Sequence, residues 1–201
     1  MIKIGLTGNF GCGKSTALKI FAKRGIAVLD ADDLAREAVK PGQSAYRTIL
    51  KHFGPNILQT DGAIDRVKLA AIVFANATHR KALNAAVHPP VRRSIRGFMK
   101  ACRKARKALC VVSIPLLYET GLQRWFDCVL VVKASQSEII ERARRSLRMS
   151  RFEVLARLRA QMPLQEKCRR ADFVLDNSGS VLHLRRQVEG LLKIVNHREI
   201  A

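Results

Sequence analysis

The stretch "GLTGNFGCGKST", residues 5–16, decides how the rest of the chain is read. It follows the apolar run "MIKI" (1–4) and precedes "ALKIFAKRG" (17–25), in which Leu18, Phe21 and Ala22 fall on one helical face and Gly25 closes the pattern. A buried strand over 2–7, a glycine loop and a helix over about 14–24 are therefore expected. Within the loop Gly8, Gly13, Lys14 and Ser15 satisfy G-x-x-x-x-G-K-[ST] in the strand-to-helix context that motif requires. Gly8, Gly11 and Gly13 admit backbone conformations barred to other residues and let main-chain N–H groups close on an anion. The following helix directs its N-terminal partial charge at the same point. Lys14 is long enough for the β- and γ-phosphates, and the Ser15 hydroxyl suits Mg²⁺. The run Gly8, Asn9, Phe10, Gly11, Cys12, Gly13, Lys14, Ser15, Thr16 is thus read as a nucleoside triphosphate site.

Outward from the loop, short apolar runs alternate with helical patterns. "IAVLD" (26–30), "ALCVVSIPLL" (108–117), "DCVLVVKA" (127–134) and "ADFVLDN" (171–177) read as four further strands. Helices are expected over much of 33–107, broken by the turn signals "KPGQS" and "TDGAI", and over 136–170 and about 180–197. This alternation predicts an α/β fold, a mostly parallel five-stranded sheet covered on both faces. Ligands then belong outside the carboxyl ends of the strands. Chemistry gathers there: the loop after the first strand, Asp30 and Asp32 after the second, Glu119 after the third, Asn177 after the fifth.

Composition narrows the function. The 201 residues are 48% apolar and 26% charged, a globular balance, with no run of about 18 apolar residues and no leader pattern; the cytoplasm is the expected compartment. Cys12, Cys102, Cys110, Cys128 and Cys168 are scattered with no C-x-x-C pair, so reduced thiols are expected rather than disulfides or zinc. Cys12, inside the glycine loop, reads either as one more buried thiol or as an exposed one near positive groups that favour its thiolate. The net charge of +21, from 37 Lys and Arg against 16 Asp and Glu, calls for a polyanionic partner. Basic clusters at 80–107 and 141–170 carry it, and salt-sensitive nonspecific nucleic-acid binding is one consequence. Aromatic content of 5%, with no stacking residues interleaved among the cations, argues against nucleic acid as the principal ligand.

A phosphate loop serves motors, switches and kinases alike. The third strand does not end in the Asp that a motor or switch ATPase would use for Mg²⁺. A small kinase instead needs a carboxylate beside the γ-phosphate to take the proton of an attacking hydroxyl, and cations to neutralise the transferring group. Asp30 and Asp32 flank Ala31, and an extended segment would point both carboxylates to one side. Asp33 is the candidate N-cap of a helix beginning near Leu34. Arg142, Arg145 and Arg148 share a helical face and read either as phosphate contacts or as a solvated stripe. His88 before Pro89 and Pro90 reads as acceptor contact or helix end, and Glu119 as acceptor contact or partner of a surface cation.

Taken in order, "GLTGNFGCGKST", "LDADDLAREAV" (29–39), "VHPPVR" (87–92), "PLLYE" (115–119) and "RLRAQMPLQEKCRRADFVLDN" (157–177) resemble the dephospho-coenzyme A kinase family over nearly the whole chain. The resemblance implies a P-loop NTPase fold of three layers, α/β/α, in one domain over 1–201. A nucleotide core would take 1–32, 108–135 and 171–201, a helical acceptor-binding region about 33–107 and a mobile lid about 136–170. It implies transfer of the ATP γ-phosphate, with Mg²⁺, to the ribose 3′-hydroxyl of dephospho-coenzyme A. Asp32 becomes the catalytic base, with Lys14 and Arg142 catalytic beside it; Asp30, Asp32, His88, Arg92 and Glu119 fall in the acceptor site, where Pro89 also lies. Asn177 joins the adenine pocket, and Gln161 and Lys167 match the lid's closing segment. Two departures stand out: Asn9 and Phe10 replace the usual glycine and small aliphatic, and Ser146 stands where a second lid arginine is usual, leaving Arg145 or Arg148 to substitute.

Overall fold

The computed structural model describes residues 1–198; residues 199–201, which the expected nucleotide core includes, lie outside them. The chain divides into two compact units, one formed by Met1–Asp30 and the chain from Ala101 onward, the other by Ala31–Lys100. The first unit holds the sheet. Its strands are β1 (Ile2–Thr7), β2 (Ala27–Asp30), β3 (Leu109–Ser113), β4 (Cys128–Lys133) and β5 (Phe173–Asp176), all parallel, in the order β2-β3-β1-β4-β5. Helix α1 (Lys14–Lys23) follows β1 and packs on β2 and β3; α6 (Gln136–Leu147), α7 (Arg151–Arg159) and α8 (Leu164–Arg169) separate β4 from β5, and α9 (Val181–Arg198) lies against α1.

Strand periodicity sorts the side chains into two layers. Ile4 and Leu6 of β1, Val111 of β3, Leu130 and Val132 of β4 and Leu175 of β5 join Phe21 of α1 and Leu184 and Val188 of α9 in one core. Gly5 points the other way, where a Cβ would come within 2.9 Å of the Phe126 ring and 3.1 Å of Leu117. The segment after β3 therefore covers the second face. An all-parallel sheet with two buried faces is the architecture that the continuous apolar runs predict.

Strand β3 stops at Ser113 and not at Leu117. Ile114 still donates to Leu6 O, but Pro115 has no N–H to continue the ladder, and the chain turns with Thr120 N bonded to Leu116 O and Leu122 N to Leu117 O.

The second unit is helical: α2 (Ala31–Ala38), α3 (Ser44–Phe53), α4 (Arg66–Ala75) and the greater part of α5 (Ala77–Lys104). Its core is Ile49, Ile57, Ile64, Leu69, Val73 and Ala86. Asp65 caps α4, its carboxylate accepting from Val67 N and Lys68 N. Three of the readings are corrected here. Helix α2 begins at Ala31, directly at the end of β2, so no extended segment places Asp30 and Asp32 on one side. Asp32 and Asp33 instead occupy its first turn, where the helix dipole favours carboxylates, and Asp33 pairs with Arg36 at 3.0 Å instead of capping. Helix α5 runs unbroken through Pro89 and Pro90, so His88 terminates nothing. The two prolines remove two N–H donors from the helix, while the apolar positions on either side, Ala86 and Ile95, are buried.

Candidate active site

The loop after β1 is built around contacts that a side chain would destroy. Gly13 has φ +93°, and a Cβ there would stand 2.0 Å from Asn177 Nδ2; at Gly8, φ +147°, a Cβ would stand 2.3 Å from Val132 O. Asn177, at the end of β5, is buried and donates its Nδ2 to Cys12 O at 2.9 Å. The far strand thus holds the loop's turn. Helix α1 starts at the loop with no acidic residue in its first turn and no side-chain cap, leaving its positive end for an anion. Lys14 folds back on the loop, its Nζ donating at 3.0 Å to both Gly8 O and Asn9 O. Ser15 is exposed at the second position of the helix.

Cys12 is not the exposed thiolate that its neighbours suggest. It is fully buried, and burial pushes its thiol pKa up despite the opposing charges of Lys14 and Lys167. The loop turns the thiol inward.

Arg142 projects from α6 to the same place, donating Nη2 to Asn177 O at 2.7 Å and meeting Glu138 Oε1 at 3.4 Å. Arg145 is paired with Glu141 at 2.6 Å, and Arg148 ends α6 in a left-handed conformation, φ +52°. The three arginines of one helical face therefore have three different surroundings.

A second group of contacts adjoins the loop. Phe10 N donates to Gln161 Oε1 at 2.8 Å, Asn9 Nδ2 to Met162 O at 3.3 Å, and the Arg157 guanidinium lies 4.9 Å from the Phe10 ring centroid. Glu119 Oε1 accepts from Met162 N at 2.9 Å and lies 3.0 Å from Lys167 Nζ. Lys167, with 0% of its side chain exposed, also donates to Pro115 O, as the Thr7 hydroxyl does at 3.2 Å. Glu119 is therefore paired with a cation of the interior and not one of the surface. Burial holds the Lys167 pKa below its ordinary value, with Glu119 opposing that shift. Sequence reasoning does not find Arg157, Thr7 or the Met162 backbone, because nothing local marks them.

Asp32, His88 and Arg92 belong to the helical unit. Asp32 is exposed on α2, and His88 and Arg92 stand one turn apart on α5. The half-buried His88 has a pKa below 6.5, first through burial and then through the Arg92 charge. Below 6.5 the unfolded chain takes up a proton that the folded protein resists, so stability falls as pH drops through this window. His88→Gln is expected to flatten that part of the Tm-versus-pH curve, read by thermal unfolding between pH 4 and 8; an unchanged slope would show that other groups set it.

A glycine loop between the central strand of a parallel sheet and a helix, with a lysine lying along it, defines a P-loop nucleotide-binding protein. Within that class the chain belongs to the dephospho-CoA kinase family, whose model matches residues 2–183. A dephospho-CoA kinase of Geobacillus kaustophilus is 45% identical over 192 residues, covering 96% of each chain. Among solved structures, a Thermus thermophilus protein is 40% identical with a TM-score of 0.81, covering 96% of both chains. The dephospho-CoA kinase of Campylobacter jejuni is 28% identical with a TM-score of 0.71 over 98% of both. The activity of the chain is accordingly that of an ATP-using kinase acting in the final step of coenzyme A biosynthesis.

Proposed function

We propose that the enzyme transfers the γ-phosphoryl group of ATP to the ribose 3′-hydroxyl of dephospho-coenzyme A, with Asp32 as the base. The observation that carries this is the loop itself, pinned by Asn177 and shaped by Gly8 and Gly13 to admit phosphate, in a chain whose family is dephospho-CoA kinase. Lys14 exchanges the carbonyls of Gly8 and Asn9 for phosphate oxygens, so neutral acceptors give way to anionic ones that bond its ammonium more strongly. The acceptor oxygen bonds to the γ-phosphorus, the bond from that phosphorus to the β-bridging oxygen breaks, and the hydroxyl proton passes to Asp32. Arg142 supplies positive charge beside the loop, while Asp30, His88, Arg92 and Glu119 hold the acceptor.

Among the described residues no cluster of three His, Cys, Asp or Glu could hold a metal ion. An exposed Ser15 hydroxyl fits Mg²⁺ that arrives with the nucleotide and takes most of its ligands from phosphate and water. Held at the Ser15 hydroxyl, such an ion would supply positive charge against the phosphates of the bound nucleotide. The loop, Asn177 and Ser15 would then form the ATP site. No helix among the described residues is long and apolar enough to cross a membrane; the cytoplasm, where unpaired thiols persist, is the compartment we assign. Nucleic-acid binding follows only as a salt-sensitive side effect of the +21 charge.

An ADP-release assay with MgATP tests the reading, comparing dephospho-coenzyme A, adenosine, AMP, CMP and no acceptor. Turnover is expected with dephospho-coenzyme A alone, giving product phosphorylated at the 3′ position. Turnover confined to another acceptor would discard the substrate and keep the kinase.

A further inference from the structure

Asn9 and Phe10 of the loop are held by the last turn of α7 and the chain that follows it. Gln161 accepts from the Phe10 backbone, Met162 O accepts from the Asn9 side chain, and Arg157 covers the Phe10 ring. From the inner side, Lys14 binds the carbonyls of Gly8 and Asn9. Residues 8–10 thus lie between the phosphate-seeking lysine and the 161–162 segment, and a shift in that segment moves the carbonyls on which Lys14 rests.

The segment has its own anchor. Met162 N donates to Glu119, whose same oxygen meets the fully buried Lys167, and Lys167 donates to Pro115 O just beyond β3. One continuous set of polar contacts therefore runs from the end of a core strand through Lys167, Glu119 and Met162 to the loop.

We propose that Gln161 is a positioning residue for the phosphate loop, seated by the Glu119–Lys167 pair, so that the loop is in place before the triphosphate arrives. This deepens the kinase reading and rests on it for the identity of the ligand. A loop fixed in advance does not take its ordering cost from ATP binding. Gln161 acts through Phe10.

Gln161→Leu keeps the side-chain size and removes the acceptor. MgATP titrated calorimetrically into this variant is expected to bind about tenfold more weakly, the fold-change of one neutral hydrogen bond lost from a preorganised site. In the nucleotide-free protein the Phe10 amide is expected to exchange about tenfold faster, while acceptor KM stays within about twofold and Tm within about 2 °C. Gln161→Glu retains an oxygen in place, and protection of the Phe10 amide without nucleotide is expected to return. An unchanged ATP affinity in Gln161→Leu would overturn the proposal. So would a joint loss of ATP affinity, acceptor KM and Tm, which would make the residue merely structural. If the wild-type enzyme fails on dephospho-coenzyme A, the acceptor assignment falls and the ATP titration still decides Gln161.

Discussion

Asp32→Asn is expected to lower kcat by about 10² to 10⁴-fold while leaving ATP affinity within about threefold. The amide matches the carboxylate in shape and can still bond a hydroxyl, but it cannot take the proton that must leave as the phosphorus–oxygen bond forms. The effect should therefore appear in kcat, with acceptor KM little changed. The control is next door. Asp33 lies in the same first turn of α2 and is paired with Arg36, both side chains more than half exposed, so Asp33→Asn removes an ion pair of little worth. It is expected to leave kcat within about twofold. Steady-state kinetics with ADP release read both variants. Near-normal turnover in Asp32→Asn would remove it from the role of base, and a larger loss in Asp33→Asn would move that role one position along the helix.

Much of this arrangement is legible in the amino-acid sequence. The five strands show as apolar runs because a parallel sheet buried on both faces has no polar side, and β1, β3 and β4 carry that signature in Ile4, Val111 and Leu130. The loop shows because its glycines and lysine are local in sequence, as is the physics that selects them. The boundaries at β3 and α2 differ from expectation through competing local effects: Pro115 ends a ladder that its apolar neighbours would continue, and the acidic pair after β2 starts a helix at once. For Cys12 the fold decides between the buried and the exposed reading. Its charged neighbour Lys14 is in the sequence, whereas its burial is a property of the fold, and burial dominates. The contacts of Asn9 and Phe10 with Met162 and Gln161 span more than 150 positions, and no periodicity or motif joins such distant residues. The resemblance marks Lys167 as part of the closing segment, but nothing in the basic run around it shows that it is the one fully buried lysine among the described residues.

Lys167→Met should therefore cost far more than the loss of one positive charge from a protein of net +21. Desolvation already holds the Lys167 pKa below its ordinary value, which shows that the interior resists the charge and that Glu119 compensates for it. Removing the lysine leaves Glu119, 22% exposed, facing the vacated interior with Met162 N as its remaining donor. Breaking a buried pair from one side costs about 3 kcal/mol at the lower end of the usual range, the end that suits a partly exposed carboxylate. For a chain of this size Tm should fall by about 6–12 °C. The double variant Glu119→Gln/Lys167→Met removes the stranded charge and keeps an oxygen for Met162 N, so it should recover most of that loss. Urea unfolding of the wild type, both single variants and the double variant yields the coupling energy. A double variant as unstable as Lys167→Met would show that Lys167 matters for packing and for its bond to Pro115 O, and the electrostatic account would fail. Recovery would mean that the pair adds little net stability, because two charges removed together spare the desolvation that each imposes. Its value would then lie in where it holds Met162, and through Met162 the loop that receives the phosphates.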